Sequence, residues 1–190
     1  MIVMAKDRNQ IDIEKLNSTD AKVKLAFAKE IVKIAAETPE LIFEHYDDLM
    51  KHLSNKSDVI KWTAIDLIGY LSSADFSNKT EQMLPLVYDF LHGKSMITSN
   101  HAIFALGLIA RNQPKFRTAI LIELLGVMNN EYKTADSKAI VMGNTIDVLK
   151  DFLDEVKLLP QAEEFARAAQ ECEREATRKK ADSFMKKLKK

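Results

Sequence analysis

The sequence predicts an all-α protein made of stacked helix pairs, and three observations support this prediction. Apolar residues recur at spacings of three and four, as they do between Asp58 and Leu71, which is typical of one face of an α-helix. No segment alternates apolar and polar residues over the length of a strand, and no Asn-Gly or Asp-Gly hairpin turn occurs. Similar helical segments also return at intervals close to forty residues, which indicates repeats rather than a single bundle.

Each helix has an apolar stripe and a chemically distinct start. The first helix follows Ser18-Thr19-Asp20, whose side-chain oxygens are suited to capping, and the second helix begins at Pro39. Later breaks fall at residues 54–58, 72–78, 92–95, 111–114, 129–130 and 159–160. The stripes of three helices are Val23, Phe27, Ile31 and Ile34; Leu41, Ile42, Tyr46, Leu49 and Leu53; and Phe116, Ile120, Leu124 and Val127. Connections this short favour antiparallel neighbours.

Four of the helices align as the second members of helix pairs. They begin near Asp20, Asp58, Met96 and Ala135, and the outer helices begin near Pro39, Lys79, Pro114 and Pro160. The aligned position is occupied by Phe27, Ala64, Ala102 and Thr145, at intervals of 37, 38 and 43 residues. A pair of this size buries its apolar face only by stacking on a neighbouring pair.

The segment IKWTAIDLIGYL, residues 60–71, resembles the second helix of a HEAT repeat. The positions that match the repeat pattern are Ile60, Lys61, Ala64, Ile68, Gly69 and Leu71. The third unit keeps Ala102, Leu106, Gly107 and Ile109, while the first and fourth units diverge further. The resemblance spans residues 20–155 and implies a right-handed α-α superhelix whose second helices line the concave side, the usual place for a partner. The small residues of the pattern let neighbouring helices approach closely.

These observations divide the chain into three parts. Residues 1–19 are predicted as an N-terminal segment with a partial first helix, residues 20–159 as an array of about four HEAT-like pairs, and residues 160–190 as a long capping helix with a basic tail. Residues 174–190 carry eight Lys or Arg against two acidic residues, whereas the whole chain is neutral. A solvated, frayed end is the alternative for this tail.

The composition of the chain excludes several classes of protein. With 190 residues, of which 46% are apolar, the chain is long and apolar enough to fold without a staple, which excludes general disorder. The single cysteine, Cys172, excludes an intramolecular disulfide and a cysteine-based zinc site. No apolar run approaches the ~20 residues of a membrane helix, and no signal peptide is recognisable. We expect a soluble protein of the reducing cytoplasm.

No constellation of residues predicts an enzyme. His45, Asp48 and His52 lie three and four residues apart and begin a metal-ligand pattern, but the apolar stripe of their helix runs elsewhere, which favours a solvated outer face. Cys172 has glutamates on both sides, which disfavour a thiolate, so a packing role is predicted. Nucleophile, phosphate-loop and dinucleotide motifs do not occur in the sequence. We predict no catalytic residue, no metal and no cofactor.

The predicted function is that of a non-catalytic scaffold or adaptor, which binds another protein on its concave face. The residues expected to contact the partner are Trp62, Asp66, Tyr70, His101, Asp147 and Asp151 on the second helices, with Lys179, Lys180, Lys186 and Lys187 in the basic tail. The alternative for Trp62 is a buried position in the core between two repeats. A few buried aromatic anchors on a rigid surface would give most of the affinity.

Two other functions stay open. A nucleic-acid-binding protein, or a DNA-repair enzyme similar to the HEAT-like glycosylases, would use Trp62 and Asp66 to hold a nucleotide. Such a protein needs a strongly basic groove, and the acidic Asp147, Asp151 and Asp154 oppose one. A structural protein would self-associate through an uncapped terminal repeat. The basic tail suits an acidic protein surface, nucleic-acid phosphates or weak contact with an anionic membrane surface.

Overall fold

The computed structural model describes residues 11–190, so residues 1–10 of the predicted N-terminal segment lie outside the described part of the chain. Between residues 11 and 190 every regular element is helical and no β-strand occurs, which confirms the all-α class. The α-helices, numbered α1 to α11 in chain order, are Ala21–Glu37, Pro39–Phe43, Tyr46–Met50, Asp58–Leu71, Lys79–Leu91, Met96–Asn112, Arg117–Gly126, Ala135–Leu149, Leu153–Val156, Ala162–Gln170 and Glu175–Leu188. Short 3-10 turns occupy Ile13–Asn17, Lys51–Ser54, Pro114–Phe116, Val127–Asn129 and Lys150–Phe152.

The helices form two layers. Helices α1, α4, α6, α8 and α11 pack side by side in chain order, and we call these five helices the ladder. Helices α2, α3, α5, α7 and α10 pack against the ladder and form the outer layer. Each unit therefore stacks on its neighbours along the chain, and the helices do not gather around one central axis. The chain is a helical repeat solenoid.

A glycine lies at three successive contacts of the ladder. A β-carbon on Gly69 of α4 would lie 2.8 Å from the Cα atom of Ala105 in α6. On Gly107 of α6 it would lie 3.0 Å from a side-chain carbon of α8, and on Gly143 of α8 it would lie 2.9 Å from Oγ1 of Thr177 in α11. The close approach predicted for Gly69 and Gly107 is confirmed. Glycine is thus what permits this spacing between the ladder helices.

The core continues along the array because α4 belongs to two clusters of buried side chains. Leu67 packs in a cluster with Ile31 of α1 and Leu49 of α3. Ile68 packs in the larger cluster, which extends through α6 and α8 to Phe184 of α11. A helix pair therefore buries its apolar surface only together with the pairs on either side of it.

Carboxylates cap two of the helix starts. Asp20 accepts the backbone N–H of Lys22 at 2.8 Å at the start of α1, as the sequence predicts. Asp75 is 7% exposed and accepts the backbone N–H groups of Lys79 and Thr80 at 3.1 and 2.6 Å, where α5 begins. Burial alone would raise the pKa of Asp75, but the hydrogen bonds outweigh burial and hold this pKa below its usual range. Asp75 therefore fixes the turn that leads into α5.

The predicted second helix is interrupted. It breaks at Glu44 and His45 into α2, α3 and the following 3-10 turn. After this change of helical phase, His52 points into the protein, where it is 9% exposed and where burial lowers its pKa. The prediction that His52 shares a solvated face with His45 and Asp48 is therefore wrong. Within residues 11–190 no three His, Cys, Asp or Glu side chains lie close enough together to hold a metal ion.

The C-terminal part is not the single long helix that the sequence predicts. Helices α10 and α11 lie on either side of a turn at residues 171–174, so that α11 folds back on α10 and packs against α8. The guanidinium of Arg178 donates a hydrogen bond to the carbonyl oxygen of Cys172 in this turn. Ala181 and Phe184 are fully buried, so a solvated, frayed end is also wrong. Helices α10 and α11 form a further pair of the array.

Candidate partner-binding surface

The exposed side of the ladder, which we call the ladder face, is continuous across four helices. Its side chains touch from one helix to the next: α4 contacts α6, α6 contacts α8, and α8 contacts α11. The face is defined by Trp62, Asp66, Tyr70, Ile97, Asn100, His101, Phe104, Asn144, Asp147 and Lys180. Six of the ten predicted contact residues lie on it: Trp62, Asp66, Tyr70 and His101 at the junction of α4 and α6, and Asp147 and Lys180 at the junction of α8 and α11.

Trp62 and His101 form a stacked pair at the junction of α4 and α6. Their ring centroids are 5.5 Å apart and their planes differ by 8°. The indole Nε1–H of Trp62 donates to Oγ1 of Thr98 at 3.0 Å, which holds the ring in this position. Trp62 is half-buried and packs against the core as well as lying on the ladder face. The packing of Trp62 between repeats agrees with the predicted core position, and its contact with a partner stays a prediction.

A groove of about 330 Å³ lies beside this pair. Its lining consists of Asp66, Tyr70, Ile97, Asn100, His101 and Phe104. The rings of Tyr70 and Phe104 meet edge to face with centroids 5.5 Å apart. Ile97 and Phe104 are 44% and 40% exposed, so two large apolar side chains of α6 border the groove in contact with solvent. Apolar surface gathered at one depression is available for binding.

Asp66 is the charged group of the groove. Its Oδ1 atom lies 2.7 Å from Nδ1 of His101, and its side chain is 18% exposed. Burial raises the pKa of Asp66, although the hydrogen bond and the charge of His101 act in the opposite direction. Burial, followed by the charge of Asp66, also raises the pKa of Tyr70. The phenol of Tyr70, which lines the groove, is a hydrogen-bond donor at neutral pH.

The predicted acidic contacts Asp147 and Asp151 are already paired within the chain. Asp147 accepts from Lys180, which ties α8 to α11. Asp151 lies 2.6 Å from the guanidinium of Arg111, which ties it to α6. These ion pairs are exposed, and pairs of this kind contribute little stability. A partner that contacts Asp147 or Asp151 would therefore meet an ion pair and not a lone carboxylate.

The remaining predicted lysines lie on α11. Lys179 pairs with Glu175 one turn earlier at 2.6 Å. Lys186 and Lys187 are exposed, and neither forms an ion pair within residues 11–190. They remain available for contact with an acidic surface.

Sequence reasoning missed Ile97, Phe104 and the two asparagines of the ladder face. Nδ2 of Asn144 donates to Oδ1 of Asn100 at 3.0 Å across the α6–α8 junction. The signal for the apolar pair was present, because α6 is apolar on more than one side: Ile97 and Phe104 lie off the stripe that contains Ala102 and Leu106. A helix with a second apolar stripe indicates a second contact surface.

Cys172 has the packing role that the sequence predicts. It is half-buried against the core, with its Sγ atom 3.7 Å from Sδ of Met142 in α8. Burial raises the pKa of its thiol, which disfavours a nucleophilic thiolate. No helix among residues 11–190 has the length and apolar character needed to cross a bilayer.

Comparison with models of known protein families finds no match. Comparison with curated proteins also finds none. Among solved structures, the chain is similar to a designed armadillo repeat protein, YIII(Dq)4CqI, with 16% sequence identity and a TM-score of 0.44. The similarity covers 92% of this chain and 97% of the designed protein.

Proposed function

We propose that this protein is a non-catalytic scaffold that binds another protein on its ladder face. The observation that carries this proposal is the groove between α4 and α6, where Ile97 and Phe104 are exposed beside the stacked pair of Trp62 and His101. Apolar and aromatic side chains that lie next to one another on a rigid surface are typical of interaction sites. Exposed apolar residues of the outer layer, such as Ile122, do not line this groove.

The charged residues suit the rim of such an interface. Asp147, Asp151 and Lys180 surround the margin, and Lys179, Lys186 and Lys187 extend the charge along α11. Charges at a rim chiefly raise the association rate and select the partner, whereas the buried aromatic centre supplies most of the affinity. Binding is therefore expected to weaken moderately, not steeply, with salt.

We further propose that the repeats are HEAT-like and that the ladder face is the concave side of the array. The near-forty-residue intervals and the close approach at Gly69 and Gly107 support this assignment. In this proposal residues 20–159 form the HEAT-like part of the array, and the further pair α10 and α11 within residues 160–190 covers the C-terminal end of that part.

Two matched substitutions test the proposed function. Ile97 on the ladder face and Ile122 on the outer layer are 44% and 43% exposed, so Ile97→Glu and Ile122→Glu introduce the same charge at equal exposure. Wild type and both variants are immobilised and incubated with a lysate of the source organism, and bound proteins are quantified. We expect a protein that binds wild type and Ile122→Glu equally but binds Ile97→Glu at least about tenfold less, the loss typical of a hot spot.

Two results of this capture experiment would contradict the proposal. One is a bound protein that Ile122→Glu loses and Ile97→Glu retains, because the interface would then lie on the outer layer. The other is retention of nucleic acid instead of protein, with steep loss at higher salt, because that result supports the nucleic-acid-binding alternative.

A further inference from the structure

We propose that the groove on the ladder face receives one cationic side chain, a lysine or an arginine, from a segment of the partner protein. The inference rests on the proposed function, because it names the chemistry that the ladder face recognises. The evidence for it is the carboxylate of Asp66 together with the aromatic and apolar side chains that line the same groove.

Asp66 supplies the negative charge. Within residues 11–190 its carboxylate has one hydrogen-bond partner, Nδ1 of His101, on Oδ1. Because His101 occupies Oδ1 only, Oδ2 can accept from a second donor. Because Asp66 lines the groove and is 18% exposed, that donor can come from a bound ligand.

Two cations of α4 and α6, Lys61 and Arg111, pair with other carboxylates. The Lys61 ammonium lies 2.7 Å from Asp58, and the Arg111 guanidinium lies 2.6 Å from Asp151. In the described part of the chain no lysine or arginine is paired with Asp66. Asp66 therefore offers a carboxylate oxygen to a ligand in the groove, and charge complementarity favours a cation over an anion.

The other walls of the groove suit the rest of a long cationic side chain. The rings of Tyr70 and Phe104 attract an ammonium or guanidinium through their electron-rich faces. The methylenes of lysine or arginine can pack on Ile97 and Phe104 while the charged end reaches Asp66. An uncharged apolar ligand would instead cover the carboxylate without giving it a partner, which costs free energy.

Trp62 provides the readout, because it is the only tryptophan and stacks on His101 at the edge of the groove. Its indole N–H gives a single cross-peak in a ¹H–¹⁵N spectrum of the full chain. The probes are N-acetyl-lysine amide and N-acetyl-arginine amide, with N-acetyl-norleucine amide as the uncharged analogue and N-acetyl-glutamate amide as the anion. We expect saturable shifts with both cations and none with the controls. Equal binding of the norleucine and lysine probes would overturn the proposal.

Substitutions then locate the site. Asp66→Asn keeps the shape of the side chain and an acceptor for His101, and it is expected to weaken the lysine probe by about tenfold or more. Phe104→Ala is expected to weaken it by about threefold. Asp89→Asn, on the exposed surface of α5 in the outer layer, is the matched control and should leave the affinity unchanged. Unchanged affinity in Asp66→Asn, with the spectrum of a folded chain, would overturn the proposal.

The partner capture separates this inference from the proposed function. A partner that is lost with both Ile97→Glu and Asp66→Asn supports both proposals. A partner that is lost with Ile97→Glu but kept with Asp66→Asn leaves the scaffold function standing and overturns the cationic site. A DNA duplex containing N7-methylguanine, a cationic base, is the last probe. A shift of the Trp62 peak by this duplex, without a shift by the lysine probe, would overturn the proposal that a lysine or arginine side chain of a partner protein occupies the groove.

Discussion

Asp75 and Asp66 are carboxylates of neighbouring units whose pKa values shift in opposite directions. Asp75 accepts backbone N–H groups at the start of α5, and these bonds outweigh burial and lower its pKa. Asp66 has one hydrogen-bond partner, His101, and burial raises its pKa. The bonds to Asp75 stabilise a turn, whereas Asp66 has an acceptor oxygen to spare for a ligand.

Asp75→Ala is expected to destabilise the protein by about 1–2 kcal/mol at pH 7, the usual cost of losing a capping carboxylate. Because the folded-state pKa of Asp75 is lowered, its contribution is present above the unfolded pKa of about 3.9 and is lost as pH falls through the folded value. Urea unfolding at pH 7 and near pH 3 should therefore show a difference from wild type that shrinks in acid. Asp89→Ala, on the exposed surface of α5, is the control. A loss of stability as large in this variant would rule out capping as the cause.

The sequence predicted which residues of α4 share a side but not what they contact. Trp62, Asp66 and Tyr70 are four residues apart, which puts them on one side of a helix. The hydrogen bond from His101 to Asp66 depends on how α4 and α6 are aligned along their axes, and residue spacing within one helix carries no information about that. The same limit explains why Asp147 and Asp151 were expected to be free for a partner and are paired within the chain.

At the scale of elements, glycine sets the distance between ladder helices. Gly69→Ala would place a β-carbon 2.8 Å from the Cα atom of Ala105, and a backbone atom cannot move without shifting α6. We expect a loss of about 1–2 kcal/mol, since overpacking outweighs the helix propensity gained with alanine. Gly93→Ala, whose β-carbon would be 3.4 Å from its nearest neighbour, should change stability by less than about 1 kcal/mol. Thermal unfolding of both variants makes the comparison, and equal losses would contradict it.

Helix α11 is expected to be an integral part of the core. Phe184→Ala should cost about 3–5 kcal/mol, because the ring is fully buried in the larger cluster. Ser183→Ala, at the exposed neighbouring position, should change stability by no more than about 0.5 kcal/mol. Denaturant titration measures both. A Phe184→Ala variant as stable as Ser183→Ala would mean that α11 is not packed on the ladder in solution.

Helix boundaries marked by proline or by capping residues were predicted from the sequence, and the unmarked ones were not. Pro39 begins α2 and Asp20 caps α1, as expected. The breaks at residues 44–45 and 171–174 contain neither proline nor glycine. Packing against other helices decides these breaks, and a local pattern in one segment does not report on such packing.

At the scale of the whole molecule, the ladder predicts graded stability along the chain. Helices α4, α6 and α8 each have a ladder helix on both sides, whereas α11 ends the ladder with one neighbour. In a linear array the terminal units open at lower free energy than the central ones. Amide hydrogen exchange should therefore be slowest in α4, α6 and α8 and faster in α11. Equal exchange rates in all of these helices would instead indicate a single cooperative unit.

The array itself was predictable because repetition supplies the same signal several times. The intervals of 37 and 38 residues between the first three units correspond to neighbouring helices of the ladder. The apolar stripe of the fifth ladder helix, which includes Ala181 and Phe184, is visible in the sequence, but the turn at residues 171–174 that folds this helix back onto α8 is not. The groove was not predicted because its lining residues come from two helices, and the sequence of either helix alone does not determine its shape.

The Trp62 indole spans the boundary between two repeats: its N–H is held by Thr98 while its ring lies flat on His101. Any flexing of the solenoid at this boundary must slide one ring over the other and strain that hydrogen bond. A ligand bound in the proposed groove would contact both α4 and α6 and would therefore oppose that movement.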